Sequence, residues 1–429
     1  MQNSINIDDL WTVHFIHILI SYSSVILPIL LTVIYIRRLW SNHIFEPNNF
    51  WRSFLISFAV GHPQYTLVLN IEPRSSLCVG RAPSKRLIDD CFRLLTYFAC
   101  LQITLVLMGF IQERMMTQGY VSSLDHTVVH RFNNAQFLVF VNRIFALILS
   151  GLYLLFNWKN EPPHIPPLYK HSYTSISNTL SSWCQYEALK YVSFPTQTVF
   201  KASKILPTML MGFIIRGERY GKVDCGIAIA LASGASLFFL SNSLKTSSID
   251  QDGFLFWFNT LLIIEGFIGL NSDRVTTVQG LCLMISYLAF DAFTLNWQKS
   301  LFDTKPRLSK YQMMFGVNAF SMLLCLAVLI HEDTLISSFN FFLNHKDVVN
   351  DLIILSLSGA LGQVVIYMTI ERYGPIVFAV MMTLRQIFSI TLSTIVYGHP
   401  VSFCSLIGLT VTFASIFCSI FRQYYKIYA

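Results

Sequence analysis

The chain has 429 residues, of which 54% are apolar and 12% charged; soluble domains carry about a quarter charged residues, so this composition excludes a chain whose main solvent is water. The net charge of +7 does not indicate a nucleic-acid binder, because Lys and Arg fall in short loops between apolar runs rather than on one soluble face. The 9 Cys lie scattered in apolar segments without CxxC spacing, which argues against a disulfide framework or a zinc site.

In chain order, apolar stretches near the ~20 residues needed to cross a bilayer recur throughout. The first, Trp11–Ile36, is too long for a signal-peptide core and lacks a small-residue cleavage pattern, so it reads as an uncleaved anchor. Residues 37–93 hold Pro47, Pro63, Pro73 and Pro83, which interrupt any extended helix, and read as a cytosolic linker. Spans follow at Leu94–Ile111, Gln136–Phe156, Ser175–Val192, Thr196–Ile215 and Val223–Leu240. After a gap come Gly280–Gln298, Met313–Ile330, Leu352–Ile370, Pro375–Tyr397 and Ser402–Phe421.

One more apolar segment, Phe254–Leu270, contains Asn259 and Glu265. If it does not span, most of the loop Lys and Arg collect on one side of the membrane, as the positive-inside rule requires, so an interfacial or re-entrant placement is expected. The basic side includes Arg37, Arg38, Lys85, Arg86, Lys305, Arg307, Arg422 and Lys426, which puts the C-terminus in the cytosol and the N-terminus, with Asp8 and Asp9, on the luminal side. The expected division is an anchor helix and linker (1–93), a first five-helix repeat (94–240), a connecting segment with the apolar insertion (241–279), and a second five-helix repeat with a cytosolic tail (280–429). Five spans per half make the halves opposite in orientation, the arrangement of inverted-repeat transporters.

Ionisable groups inside spans are functional candidates, since each costs about 2.5–3.5 kcal/mol at a helix centre. Arg143, Lys190, Lys201, Lys204 and Arg385 qualify, and Lys190 is near enough to its helix end to snorkel. At 1.5 Å per residue, Lys201 and Lys204 lie roughly 9 and 13 Å beyond Pro195, and Arg385 roughly 15 Å beyond Pro375, near the middle of a ~30 Å core. Gln197, Lys201, Lys204 and Thr208 share one helical face; Arg385, Ser389 and Ser393 form a second stripe with Gln386 beside it. The competing reading is internal ion pairing with Glu187 and Asp291, the two acids well inside the core spans, but the cations outnumber them. A multiply negative ligand supplies the missing charge. Trp183, Tyr186 and Tyr367 are candidates for stacking a purine, against a background in which most aromatic residues serve packing. Pro207 should kink its helix or free a carbonyl.

Nothing points to catalysis. There is no phosphate-binding Gly-rich loop with Lys-Ser/Thr, no HExxH and no Gly-x-Ser-x-Gly elbow, so neither an ATP-driven pump nor a hydrolase is indicated, and no metal or cofactor is implied. His126 and His130 have helical spacing without an acidic partner and read as a solvated loop.

The stretch from Ser181 to Gln197, continuing into Lys201-Ala202-Ser203-Lys204, closely resembles carriers of 3′-phosphoadenosine 5′-phosphosulfate (PAPS) within the nucleotide-sugar transporter family. Further matching stretches are Gln112-Glu113-Arg114, 290–298, 312–318 and Met382-Thr383-Leu384-Arg385-Gln386. The resemblance implies an all-α polytopic membrane protein with ten core transmembrane helices in two inverted five-helix repeats, preceded here by the anchor helix. It implies a Golgi antiporter that exchanges cytosolic PAPS for a luminal adenine nucleotide. The intramembrane cations Lys201, Lys204 and Arg385 are then expected to contact the phosphates and sulfate. Arg143, Gln197, Gln386, Tyr186 and Tyr367 complete the candidate site. Related UDP-sugar carriers commonly have Arg-Lys where this chain has Arg385-Gln386. The insertion 254–270 and the region before Cys91 depart from the family. The alternatives are a nucleotide-sugar transporter and a non-transporting membrane receptor or scaffold; a homodimer is left open. The terminal Lys426-Ile427-Tyr428-Ala429 carries no dilysine or KDEL-type signal.

Overall fold

The computed structural model describes residues 11–42, 49–61, 83–117, 119–121, 129–132, 134–188, 191–192, 194–244, 278–304, 307–396 and 403–428. Phe254–Leu270, Lys190 and His126 lie outside them, as does the side chain of Ser393.

The described chain is almost wholly helical: α1 (Trp11–Ser41), α2 (Phe50–Ala59), α3 (Pro83–Thr117), α4 (Ala135–Phe156), α5 (Lys170–Ala188), α6 (Phe194–Ala202), α7 (Ile205–Arg216), α8 (Lys222–Leu244), α9 (Val278–Phe302), α10 (Lys310–His331), α11 (Leu335–Asn344), α12 (Lys346–Val396) and α13 (Phe403–Tyr428). Between α3 and α4 a small antiparallel pair, β1 (Gly119–Val121) and β2 (Val129–Arg131), sets Tyr120 opposite His130. Among the described residues, 7 helices are long and apolar enough to cross a membrane. A helix suits that solvent because it satisfies its own backbone polar groups.

Four expectations need correction. Residues 37–93 are not simply a linker, since α2 forms there and α3 begins at Pro83, a residue suited to a first helical turn. The span Thr196–Ile215 is two helices with a break at Ser203–Lys204. Pro207 has no N–H to offer the Ser203 carbonyl, which takes the Leu206 N–H instead at 3.1 Å. The spans Leu352–Ile370 and Pro375–Tyr397 join in α12 through Gly374, whose φ of 85° and ψ of 175° suit glycine alone. His130, read as part of a solvated loop, lies on β2, and the short helix α11 forms between α10 and α12.

The chain divides into two compact units that cross the expected repeat boundaries: residues 1–176 with 301–371, and residues 177–300 with 372–429. In the first, α1 packs on α2 and α10, and α4 packs on α10. Val33, Ile36, Ala59 and Tyr169 form one apolar cluster. Arg37 closes its edge, donating from Nε to the Ala59 carbonyl (3.1 Å) and from Nη2 to the Tyr169 hydroxyl (2.9 Å). A second cluster gathers Phe132, Phe137, Phe342 and Leu355 around the hairpin. Beside it the Tyr120 hydroxyl donates to Asp351 Oδ2 at 2.9 Å, and Arg114 Nε approaches the same oxygen at 3.5 Å. Burial, then that hydrogen bond, pushes the Tyr120 phenol up to about 12.

In the second unit α8 and α13 pack along their lengths. They meet at Gly234 and Gly408, where a Cβ on Gly408 would lie 2.7 Å from the Gly234 carbonyl oxygen and from the Phe238 nitrogen. Phe238, Phe239, Ala202 and Ile387 pack as one buried group; Ile205, Met209 and Leu231 form another.

Candidate functional site

Each unit holds part of the predicted site. In the second, the α6–α7 break presents Lys201 from the last turn of α6 and Lys204 from the residue preceding α7. Lys204 is 8% exposed, and its Nζ contacts Asp291 Oδ2 on α9 while lying 5.8 Å from the centre of the Phe378 ring. Lys201 is half-buried, within electrostatic reach of Arg385 and Lys204. Arg385 is half-buried on α12; its Nε and the Oε1 of Gln386 are buried without a hydrogen-bond partner. Among the described residues no carboxylate lies within ion-pair distance of Lys201 or Arg385. Three cations therefore share this region with one carboxylate paired to them, Asp291. Glu187 is also buried in the unit and makes interactions of its own.

The surrounding backbone is held by polar side chains in and beside the stretches quoted above. Ser177 and Ser181 on α5 donate to the carbonyls of Phe290 (2.6 Å) and Tyr287 (3.2 Å) on α9. Gln197 is buried and donates to the Gln185 carbonyl at 3.2 Å, so its amide fixes α6 to α5. Asn296 donates to the Thr208 carbonyl (2.9 Å), tying the helix of Asp291 to the helix that follows Lys204. Tyr186 is 59% exposed.

In the first unit Arg143 is held differently. Its Nη1 donates to Asn318 Oδ1 at 3.4 Å, and Asn318 Nδ2 donates to Gln363 Oε1 (2.8 Å) and to the Met314 carbonyl (2.7 Å). Among the described residues no carboxylate pairs with Arg143. Asn318 is fully buried on α10, and its neighbours explain the motif around it. Gln312 completes the capping box with Ser309 and donates to the Pro162 carbonyl at 2.6 Å, while Gly316 lies against the His171 ring, 2.7 Å from where its Cβ would stand. Tyr367 is buried edge-on to Phe302, with ring centres 6.5 Å apart.

Sequence reasoning named the cations but not their neutral partners. Asn318 and Gln363 are amides inside apolar spans, which is the signal that could have found them. The pairing of Lys204 with Asp291 was weighed only as a competing reading and is present here.

The model of the UAA transporter family matches residues 93–422. A Caenorhabditis elegans protein named adenosine 3′-phospho 5′-phosphosulfate transporter 1 is 49% identical, covering 96% of this chain and 92% of its own length. The human protein of the same name is 35% identical over 96% of this chain and 88% of its own. An Arabidopsis thaliana protein named UDP-galactose/UDP-glucose transporter 5 is 33% identical over 75% of this chain and 85% of its own.

Proposed function

The chain belongs to the UAA transporter family, and from that premise we propose that it is a Golgi membrane antiporter importing PAPS from the cytosol in exchange for a luminal adenine nucleotide, for use in sulfation. The observation that carries this reading is the cation excess in the second unit: Lys201 and Arg385 have no acidic partner among the described residues, and Lys204 has one. Uncompensated charge at membrane depth costs several kcal/mol, and the phosphates and sulfate of PAPS offset it by charge-assisted hydrogen bonding. The greater identity to relatives named for this substrate than to one named for UDP-sugars supports PAPS over a nucleotide sugar.

The proposed architecture is ten core helices in two inverted repeats, 94–240 and 280–429, after the anchor α1, with the C-terminus cytosolic. Substrate is held near the midplane, where interrupted helices expose backbone groups to a ligand. Lys201, Lys204 and Arg385 take the phosphates and sulfate, Arg143 a further anionic group, and Gln386 presents an amide oxygen. Gln197 positions α6; Tyr186 and Tyr367 remain candidates for contact with the base. Exchange uses the two nucleotide gradients and needs no ATP hydrolysis.

The test is uptake of labelled PAPS into proteoliposomes preloaded with adenosine 3′,5′-bisphosphate, with unlabelled UDP-sugars and GDP-mannose as competitors. A folded Lys201→Gln/Lys204→Gln double mutant should lose uptake by about 100-fold or more. Wild-type rates in that mutant would remove these lysines from the site, and displacement of PAPS by UDP-galactose would favour the nucleotide-sugar reading.

A further inference from the structure

Asp291 is the one carboxylate paired with the cation cluster among the described residues, and its position is fixed from both sides. The Ser177 hydroxyl holds the carbonyl of the preceding residue, Phe290, at 2.6 Å. One turn on, Asn296 binds the Thr208 carbonyl of α7 at 2.9 Å. These bonds tie α9 to both α5 and α7 and so hold the backbone of Asp291 beside that of Lys204. The Asp291 side chain is 19% exposed, but the oxygen that meets Lys204 is itself buried, and the Lys204 side chain is 10% exposed. Separating such a buried pair is costly unless another anion takes the place of the carboxylate.

Resting on the PAPS reading of this site, we propose that Asp291 is an exchangeable counter-ion and a specificity-determining residue: it occupies Lys204 in the empty carrier, and a phosphate or sulfate group must displace it. One carboxylate carries a single negative charge. A ligand gains by the exchange when it brings more than that to Lys201, Lys204 and Arg385 together, because among the described residues no carboxylate pairs with Lys201 or Arg385. An anion with one weakly charged group gains little over Asp291. The carboxylate thus sets a minimum ligand charge and penalises neutral or weakly anionic competitors, while giving Lys204 a partner to return to when ligand leaves.

The experiment compares purified full-length protein with its Asp291→Asn variant, measuring equilibrium binding and ligand-induced thermal stabilisation with PAPS, adenosine 3′,5′-bisphosphate and adenosine monophosphate. Asp291→Asn should bind all three more tightly, by about tenfold for the monophosphate and by less for PAPS and the bisphosphate. The preference for bisphosphate over monophosphate should therefore narrow, and exchange in proteoliposomes should slow because ligand no longer yields Lys204. Unchanged or weaker binding by folded Asp291→Asn would overturn the proposal, leaving Asp291 a structural partner of Lys204. If that variant cannot be purified folded, Lys204→Gln is compared with Lys204→Gln/Asp291→Asn, in which no charged partner is orphaned. The double variant should then bind all three ligands more tightly than Lys204→Gln, because the carboxylate beside the site is gone, and equal binding would overturn the proposal. Lys201→Gln and Arg385→Gln separate the two levels of argument. Their retention of parental binding would remove the site itself, whereas their loss of binding with no gain in Asp291→Asn would remove only the role of Asp291.

Discussion

The two compact units hold their intramembrane cations by different means. In the unit of residues 177–300 and 372–429, Lys204 is answered by a charge, Asp291, with Lys201 and Arg385 beside it. In the unit of residues 1–176 and 301–371, Arg143 is answered by an amide relay through Asn318 to Gln363. An opposite charge compensates a cation but can be displaced by another anion. A neutral oxygen orients a guanidinium and leaves its charge unspent. The first arrangement suits a group that trades partners, the second a group that waits in a fixed pose for one.

The largest effect expected from this contrast concerns conservative exchanges. Arg143→Gln should cut PAPS uptake about 100-fold, and Arg143→Lys should recover little of it, because an ammonium cannot reproduce the planar fork that meets Asn318. Lys204→Arg, in an ion pair with looser geometric demands, should retain more uptake than Lys204→Gln. Equal tolerance at both positions, measured as uptake per folded molecule, would erase the distinction.

A smaller effect tests the scaffold. Gly408→Ala in the second unit forces a methyl against backbone atoms of α8, where nothing can rotate away, and should cost about 1–3 kcal/mol. Thermal unfolding in detergent would register it, with substrate affinity per folded molecule unchanged.

The smallest belongs to the first unit. Tyr120→Phe removes a hydrogen bond to a carboxylate and should cost about 1.5 kcal/mol. Because the folded phenol titrates at about 12 against an ordinary 10.0, its contribution is full below pH 10 and is lost as pH rises towards 12. The parent should therefore show an alkaline loss of stability that Tyr120→Phe lacks.

Much of this was legible before any coordinates. Hydropathy placed spans such as Gln136–Phe156 within a residue of α4, since twenty apolar residues have few other uses. Pro207 announced a defect, though not that the helix would stop at Ser203–Lys204, because a proline can bend a helix without ending it. Three-residue strands and the ten-residue α11 leave too little periodicity to read. The cations stood out because charge is costly in lipid, and so did Asp291 as a possible counter-ion. The neutral partners did not, because Asn318 and Gln363 are distant in sequence from Arg143, and only packing brings them together. The two compact units were hidden for the same reason, each being assembled from both halves of the chain.

The interruption between α6 and α7 bears on the spacing of two cations. On an unbroken helix, two lysines three residues apart stand at one spacing, about 5–6 Å between Cβ atoms. Here Lys201 lies in the last turn of α6, which ends at Ala202, and Lys204 immediately precedes α7. A torsional change at Ser203–Lys204 would alter the distance between the two ammonium groups, as the legs of a caliper move about their pin. The gap between two anionic groups on the cargo is then something the backbone can be adjusted to match.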